Sequence, residues 1–177
     1  MNALEPLRLS AAYSCWANEG LYAACVALDG ADYRRDLGTF FRSVHGTLNH
    51  LLLVDRLWLD RLRGEAPAFT TLDAELHGEF AALRTARAEA DAAIVDYLDT
   101  LDADALAQPL CFTSFVTRRA MRMPRWVGLT HLFNHQIHHR GQVTALLGRL
   151  GVDYGNIDVI WMPGAVAADA LPGSMQP

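Results

Sequence analysis

The amino-acid sequence predicts an all-α protein, a four-helix bundle with a long crossover between the third and fourth helices. Four long segments repeat apolar residues at the three- and four-residue spacing of an α-helix, and Gly, Pro or short polar clusters separate them. The 177 residues are 51% hydrophobic and 20% charged, as in ordinary globular proteins. We therefore expect one domain over residues 1–177, with its core at about residues 5–165.

The first two helices are predicted before residue 65. The first covers roughly Glu5 to Leu28 and ends where Gly30 can stop a helix. The second begins near Thr39, a residue type that caps helix N-termini, and ends at Gly64. A core-facing stripe on this second helix is predicted at Phe40, Val44, Thr47, Leu51, Val54, Trp58 and Leu62.

The other two helices are predicted on either side of the crossover. The third covers roughly Leu72 to Leu101, and the fourth runs from about Pro124 to Leu150 and is closed by Gly151. The intervening "PLCFTSFVTRRAMRMP" has β-branched and aromatic residues without a helical period, so we expect a short hairpin or an extended crossover there. An irregular C-terminal tail, with "IDVIW" as its candidate anchor, is expected after the fourth helix.

Composition excludes several classes of protein. A net charge of -5 without a run of Lys or Arg argues against nucleic-acid binding. No apolar stretch approaches the ~20 residues of a membrane span, and "MNALEPLRLS" does not resemble a signal peptide, so we expect a cytoplasmic protein without a membrane partner. The three cysteines have no CxxC spacing, which argues against a disulfide framework or a thiolate zinc site.

The fourth helix contains four histidines within "HLFNHQIHHRGQ", residues 131–142. His135 and His139 are four residues apart, so they lie on one face of the helix, within the stripe that otherwise buries leucines. His131 lies toward the edge of this stripe, and His138 points elsewhere. Two of the four histidines can therefore reach one ion together.

A third candidate ligand, His50, lies on the second helix one turn from both Thr47 and Val54. Facing side chains of different helices share the interior of a bundle, which is how such folds build metal sites. His50, His135 and His139 are therefore the candidate ligands of a divalent metal ion. The alternative is that they are half-buried histidines with ordinary hydrogen bonds.

Four neighbouring residues refine this hypothesis. Gln136 stands where the HExxH metalloproteases have their Glu base, which excludes that class of enzyme. Asp55 is expected to face away from the ion and pair with an Arg, and Arg140 to pair with a carboxylate or a neighbouring chain. Gln142 is one turn beyond His139 and is expected to hydrogen-bond a histidine or a ligand.

Three segments resemble the DinB/YfiT-like family of metal-dependent proteins (the DinB superfamily): "AAYSCWANEGL", "TLNHLLLVDRLWL" and "HLFNHQIHHRGQV". The resemblance extends over nearly the whole chain. It implies an up-down-down-up bundle in which three histidines hold one divalent metal, and the family's histidine positions fall on His50, His135 and His139. It also implies a homodimer, and an enzyme that uses low-molecular-weight thiols or is a hydrolase or isomerase.

Three neutral imidazoles leave the charge of a divalent ion uncompensated, so that a water or a thiol beside it is acidified. We therefore expect a metal-dependent enzyme that activates a thiol or water for transfer to a small electrophilic substrate, as an S-transferase or hydrolase with a stress or detoxification role. The ligand type does not identify the metal, which could be zinc, nickel, iron, manganese or copper. The alternatives are a non-catalytic metal-binding or sensor protein whose ion organises the bundle, and a metal-free helical dimer module.

Overall fold

The computed structural model describes residues 3–69 and 71–165, and these residues are mostly helical. An antiparallel pair of short strands and a short 3-10 helix at Val159–Trp161 complete the regular structure of this part of the chain. The main elements are α1 (Glu5–Cys25), α2 (Gly30–Arg34), α3 (Val44–Arg63), α4 (Phe80–Asp99), α5 (Ala103–Ala107), β1 (Pro109–Thr113), β2 (Ala120–Pro124) and α6 (Arg125–Arg149). The predicted irregular tail beyond residue 165 lies outside the described residues.

The start of α3 differs from the prediction, and its end agrees. The helix begins after Ser43, whose Oγ accepts a hydrogen bond from the Gly46 amide at 3.0 Å, so the predicted start near Thr39 is wrong. Residues 39–42 instead reverse the chain, with Arg42 at a φ of 66°. Gly64 ends the helix at a φ of 76°, which glycine adopts without steric cost.

A short helix that the sequence analysis missed follows α1. The first helix ends at Cys25 rather than near Leu28. Gly30, expected to stop the first helix, instead begins α2, because Asp29 caps the new helix through a 2.7 Å bond from the Asp32 amide.

In the connection from α3 to α4 the described residues 71–79 are irregular, so the predicted start of the third long helix at Leu72 is wrong. Asn49 on α3 accepts hydrogen bonds from the amides of Leu76 at 2.8 Å and His77 at 3.0 Å. The Leu72 carbonyl accepts from His50 at 2.8 Å. These contacts with α3 replace the hydrogen bonds of a first helical turn.

The crossover between α4 and α6 contains the hairpin that the sequence suggested, preceded by α5. In the β1–β2 pair Pro109 is opposite Pro124 and Thr113 is opposite Ala120. The all-α prediction is therefore corrected to a mostly helical fold with a small sheet, because the β-branched and aromatic residues of the crossover pair as strands. Pro124 ends β2 and caps the N-terminus of α6.

The buried apolar residues form two clusters along the long helices. One joins the N-terminal parts of α1 and α6 to the C-terminal parts of α3 and α4, with Ala11, Leu62, Leu98 and Leu129 among its members. The other joins the opposite parts of the same helices, with Leu21, Leu48, Leu83 and Leu147 among its members. Helix α3 contacts α4 and α6, and α1 also contacts both. Within residues 3–69 and 71–165, no helix combines the length and apolar character needed to cross a lipid bilayer.

Buried charged residues lie at the middle of the long helices, between the two apolar clusters. Arg87 of α4 contacts Asp55 of α3 at 2.5 Å and Asp91 of α4 at 2.8 Å. Asn18 of α1 donates to Asp91 at 3.0 Å. We call Asn18, Asp55, Arg87 and Asp91 the charged layer. It confirms the expectation that Asp55 pairs with an Arg away from the histidines.

Removing the cation of the charged layer should destabilise the protein strongly. In Arg87→Met the carboxylates of Asp55 and Asp91 remain buried without their partner, and we expect the free energy of unfolding to fall by about 3–5 kcal/mol. Denaturant unfolding measures this change. Arg84→Met, on the exposed face of the same helix, is the control and should change the value by no more than about 0.5 kcal/mol. Equal effects of the two substitutions would contradict the role given to the charged layer.

Candidate metal centre

The three histidines selected from the sequence lie together at the contact between α3 and α6. His50 comes from the first half of α3, and His135 and His139 occupy successive turns of α6. One ring nitrogen from each histidine can be chosen so that all three lie within 4.8 Å of one another. The ring centroids of His135 and His139 are 4.3 Å apart, and that of His50 is 5.2 Å and 4.6 Å from them.

The orientation of His50 is fixed by the chain on both sides of its ring. Its Nδ1 donates to the Leu72 carbonyl at 2.8 Å, which leaves the lone pair of the neutral ring on Nε2. The ring of Phe41 stacks on it, with centroids 3.9 Å apart. Gly46 permits this approach, because a Cβ there would lie 2.1 Å from the Phe41 carbonyl oxygen. The Nε2 of His50 lies 3.3 Å from the Nε2 of His135.

The two histidines of α6 have different surroundings. His139 donates from Nδ1 to the Oε1 of Gln142 at 2.7 Å, which leaves its lone pair on Nε2 and confirms the expected contact. The Nδ1 of His135 is buried and has no hydrogen-bond partner among the described residues. Two of the three rings are thus held in the tautomer that a metal ligand bound through Nε2 requires.

Burial keeps these imidazoles neutral. It lowers the pKa of His135 to about 3, with further lowering from the neighbouring His139 and His50. Burial likewise lowers the pKa of His50 to about 4, against the raising effect of the bond to Leu72, and it lowers the pKa of His139. Neutral imidazole is the form that binds a metal, so the site is ready for one at physiological pH.

The donor set fits a divalent metal ion. Imidazole nitrogens bind zinc at roughly 2.0–2.1 Å, which places neighbouring nitrogens of a tetrahedral site roughly 3.3 Å apart. The two Nε2 atoms of His50 and His135 have this spacing, at 3.3 Å. In the metal-free protein the Nε2–H of His135 can donate to the lone pair of His50 at this distance, and a bound metal ion would take the place of that proton. Imidazole suits zinc, nickel, iron and copper.

The other two histidines of the sequence motif lie outside this set. His131 is exposed, and its ring centroid lies 4.6 Å from that of Trp58. His138 is exposed and accepts from the Nε2 of Gln142 at 3.3 Å. Both positions agree with the sequence analysis, which placed His131 at the edge of the stripe and His138 away from it.

Arg140 differs from its prediction. It is 1% exposed, donates to Gln136 at 3.0 Å and Asn18 at 3.5 Å, and has its guanidinium carbon 4.8 Å from the Tyr13 ring centroid. The predicted pairing with a carboxylate or a neighbouring chain is wrong, because α1 covers this face of α6 and supplies an amide and an aromatic ring. Gln136 is buried and accepts a hydrogen bond from Arg140, so its amide takes part in the contact of α6 with α1.

A cavity of about 410 Å³ opens beside the histidines. We call it the hairpin cavity, because the β1–β2 hairpin closes it against α3 and α6. The sequence analysis did not identify it, since the packing of the crossover on the helices has no local signal. Its lining includes His50, His135, His131, Val54, Trp58, Arg61, Leu72, Phe112, Met121 and Met123.

The histidine site should make the metal-free protein sensitive to acid. An unfolded histidine has a pKa near 6.5, above the folded value of about 3 for His135. The unfolded state therefore binds protons first, so the contribution of His135 to stability is complete above pH 6.5 and is lost as pH falls below it. Between pH 6 and 4 we expect the free energy of unfolding to fall by roughly 1.4 kcal/mol per pH unit more than in His135→Gln.

Urea unfolding in the presence of a chelator, at several pH values, measures this difference. His138→Gln, at an exposed position of the same helix, should keep the slope of the unsubstituted protein. If the free energy of unfolding of His135→Gln fell with pH as steeply as that of the unsubstituted protein, burial would not lower the pKa of His135.

The fold is similar to one seen in a crystal structure, that of a DinB-like protein from Bacillus cereus ATCC 10987. The two chains are 18% identical with a TM-score of 0.62, and the match covers 80% of this chain and 90% of that one. At this identity the likeness concerns the fold alone. No curated protein matches the chain. The model of the DinB family matches residues 2–168, and the chain therefore belongs to the DinB family.

Proposed function

We propose that this protein binds a divalent metal ion through His50, His135 and His139 and is an enzyme that transfers a thiol or water to a small electrophilic substrate. The observation that supports the proposal is the meeting of three neutral imidazoles, two of which, those of His50 and His135, line the hairpin cavity. A divalent ion with only neutral ligands keeps its full charge and lowers the pKa of a thiol or water next to it.

The hairpin cavity favours an enzyme over a non-catalytic metal-binding or sensor protein. Structural metal sites are closed by their ligands, whereas catalytic sites stay open to a substrate. His50 and His135 both line a cavity of about 410 Å³, a size within the roughly 300–1,000 Å³ range of small-molecule sites.

The side chains around the site favour a thiol over water as the group transferred. A base assists attack by water, and no Asp or Glu is among the described residues that line the hairpin cavity, whereas Asp73 and Glu75 line a second cavity that His50 also borders. Within the hairpin cavity a hydrolytic route would therefore depend on His131, whose imidazole is not one of the candidate ligands. A thiol needs only to lose its single proton, and a cation beside it supplies the required lowering of its pKa.

We also propose that the four long helices form the up-down-down-up bundle expected from the sequence. The apolar clusters support this arrangement: the N-terminal parts of α1 and α6 share a cluster with the C-terminal parts of α3 and α4. Helices α1 and α6 then run in one direction and α3 and α4 in the other. In such a bundle the histidines of α3 and α6 face each other across one helix contact.

Each of the three histidines should be needed for metal binding. We expect His50→Ala, His135→Ala and His139→Ala each to weaken the binding of zinc by roughly 100-fold or more, and Gln142→Leu by roughly 10–100-fold through lost support of His139. Isothermal titration of tag-free protein, with elemental analysis, measures the affinity and the metal content.

The matched control is His138→Ala, which removes an exposed imidazole from the same helix. Its zinc affinity should fall by no more than the effect of one hydrogen bond, about 1 kcal/mol, because His138 bonds the far end of Gln142 and packs on the edge of the His139 ring but is not one of the three candidate ligands. Retention of metal by any of the three alanine variants at the original affinity would remove that histidine from the site.

The metal-loaded protein should catalyse thiol transfer. Glutathione, bacillithiol and mycothiol are tested with model electrophiles, and ester hydrolysis is measured in parallel. We expect turnover with at least one thiol, and at least a 100-fold loss of kcat/KM in His135→Ala, roughly 2.7 kcal/mol. Equal turnover by both proteins would refute a catalytic role for the ion, and metal binding without any turnover would favour the sensor alternative.

A further inference from the structure

Arg61 is a buried cation at the far end of the hairpin cavity. It follows His50 by eleven residues on α3, and both residues line the cavity. Its side chain is 7% exposed, and three aromatic rings surround the guanidinium carbon, with centroids 4.9 Å away for Trp58, 4.3 Å for Phe112 and 5.5 Å for Phe115. The cation is thus held in place by ring faces.

No carboxylate of the described residues lies within ion-pair distance of Arg61. The ion pairs of residues 3–69 and 71–165 do not include it, and its buried Nε has no hydrogen-bond partner there. Its Nη2 donates to the Thr113 carbonyl at the long distance of 3.4 Å. Arg87, which is also buried, contacts two carboxylates. Since a guanidinium has five N–H donors, Arg61 has donors left for a ligand.

The space between Arg61 and the histidines is apolar and elongated. Eleven residues of helix span about 16 Å. Along this length the described lining is supplied mainly by the side chains Val54, Leu57, Trp58, Phe112, Met121, Met123 and Val127. A ligand that fills the cavity therefore has an apolar body, with room for an anionic group at one end.

We propose that the substrate is an elongated, apolar carboxylate whose anionic end binds Arg61 and whose other end lies at the three histidines. A carboxylate matches the fork of the guanidinium with two parallel hydrogen bonds. Its single charge neutralises the single cation, whereas a phosphate dianion would leave a net negative charge in the apolar cavity. The assignment of the reacting end rests on the proposed function, but the binding of the carboxylate to Arg61 does not.

Octanoate and octan-1-ol are the probes, and isothermal titration is carried out on both the metal-free and the zinc-loaded protein. We expect the unsubstituted protein to bind octanoate at least about tenfold more tightly than octan-1-ol, in both forms, because a charged hydrogen-bonded pair replaces a neutral contact. Arg61→Gln should lose this preference and still bind octan-1-ol. Arg61→Lys should keep part of it.

Arg63→Gln is the matched control, since Arg63 is an exposed residue of the same helix, and it should bind both probes as the unsubstituted protein does. Two results would overturn the proposal. One is the absence of any preference for octanoate in the unsubstituted protein, a comparison that needs no variant to fold. The other is a preference that appears only with zinc and is lost in His139→Ala, because the carboxylate would then be binding the ion.

The same measurements separate this proposal from the proposed function. Tight binding of octanoate by the metal-free protein, together with no turnover by the zinc-loaded protein, would support the Arg61 site and contradict only the proposed catalysis. Turnover by the zinc-loaded protein without any preference for octanoate would support the proposed catalysis and contradict the Arg61 site.

Discussion

The charged layer is the constraint on which the position of the other side chains depends. Asp55, Arg87 and Asp91 are buried at the contacts between long helices, and each carboxylate is stable there only while Arg87 stays within hydrogen-bond distance. A buried pair of this kind adds little net stability compared with apolar packing, but displacing one partner leaves a bare charge in a medium of low polarity. A shift of α3 along α4 by one turn is therefore excluded, although the leucines of both helices could repack after it.

The charged layer also affects the position of the candidate metal ligands, because it contacts α6, a helix with two buried faces. Arg140 and Gln136 face α1 and meet the charged layer at Asn18. His135 and His139, each next to one of these residues in sequence, face α3. Contacts on one face thus fix the rotation of α6 about its axis, and this rotation sets where the imidazoles of the other face meet His50. Leu72 and Phe41 then set the plane of the His50 ring.

How much of this could be predicted depends on the range of the contacts involved. That the three histidines lie close together could be predicted because each lies on a helical stripe, and a stripe is a property of one segment alone. The start of α4 could not be found this way, because backbone groups of Leu72, Leu76 and His77 bond to Asn49 and His50, which are more than twenty positions away in sequence. Arg140 was misplaced because the pattern of α6 does not reveal that two of its faces are covered.

For Arg61, the sequence predicts the position of the side chain but not the residues that surround it. It continues the face of α3 that begins at His50 and passes through Val54 and Trp58, so its position on the cavity side follows from helical spacing. Its significance depends on the hairpin, whose Phe112 and Thr113 cover it, and nothing in α3 predicts that contact.

The same residue explains why the cavity is suited to an anion. Removing a guanidinium from water costs several kcal/mol unless carboxylates compensate for the loss, and around Arg87 the protein supplies two of them. Around Arg61 it supplies ring faces and one long bond to a carbonyl. A Leu or Met would fill this space without that cost, so packing alone does not account for an arginine. An occupant that brings its own carboxylate does account for it, since the charge then compensates the cation only when the substrate is bound.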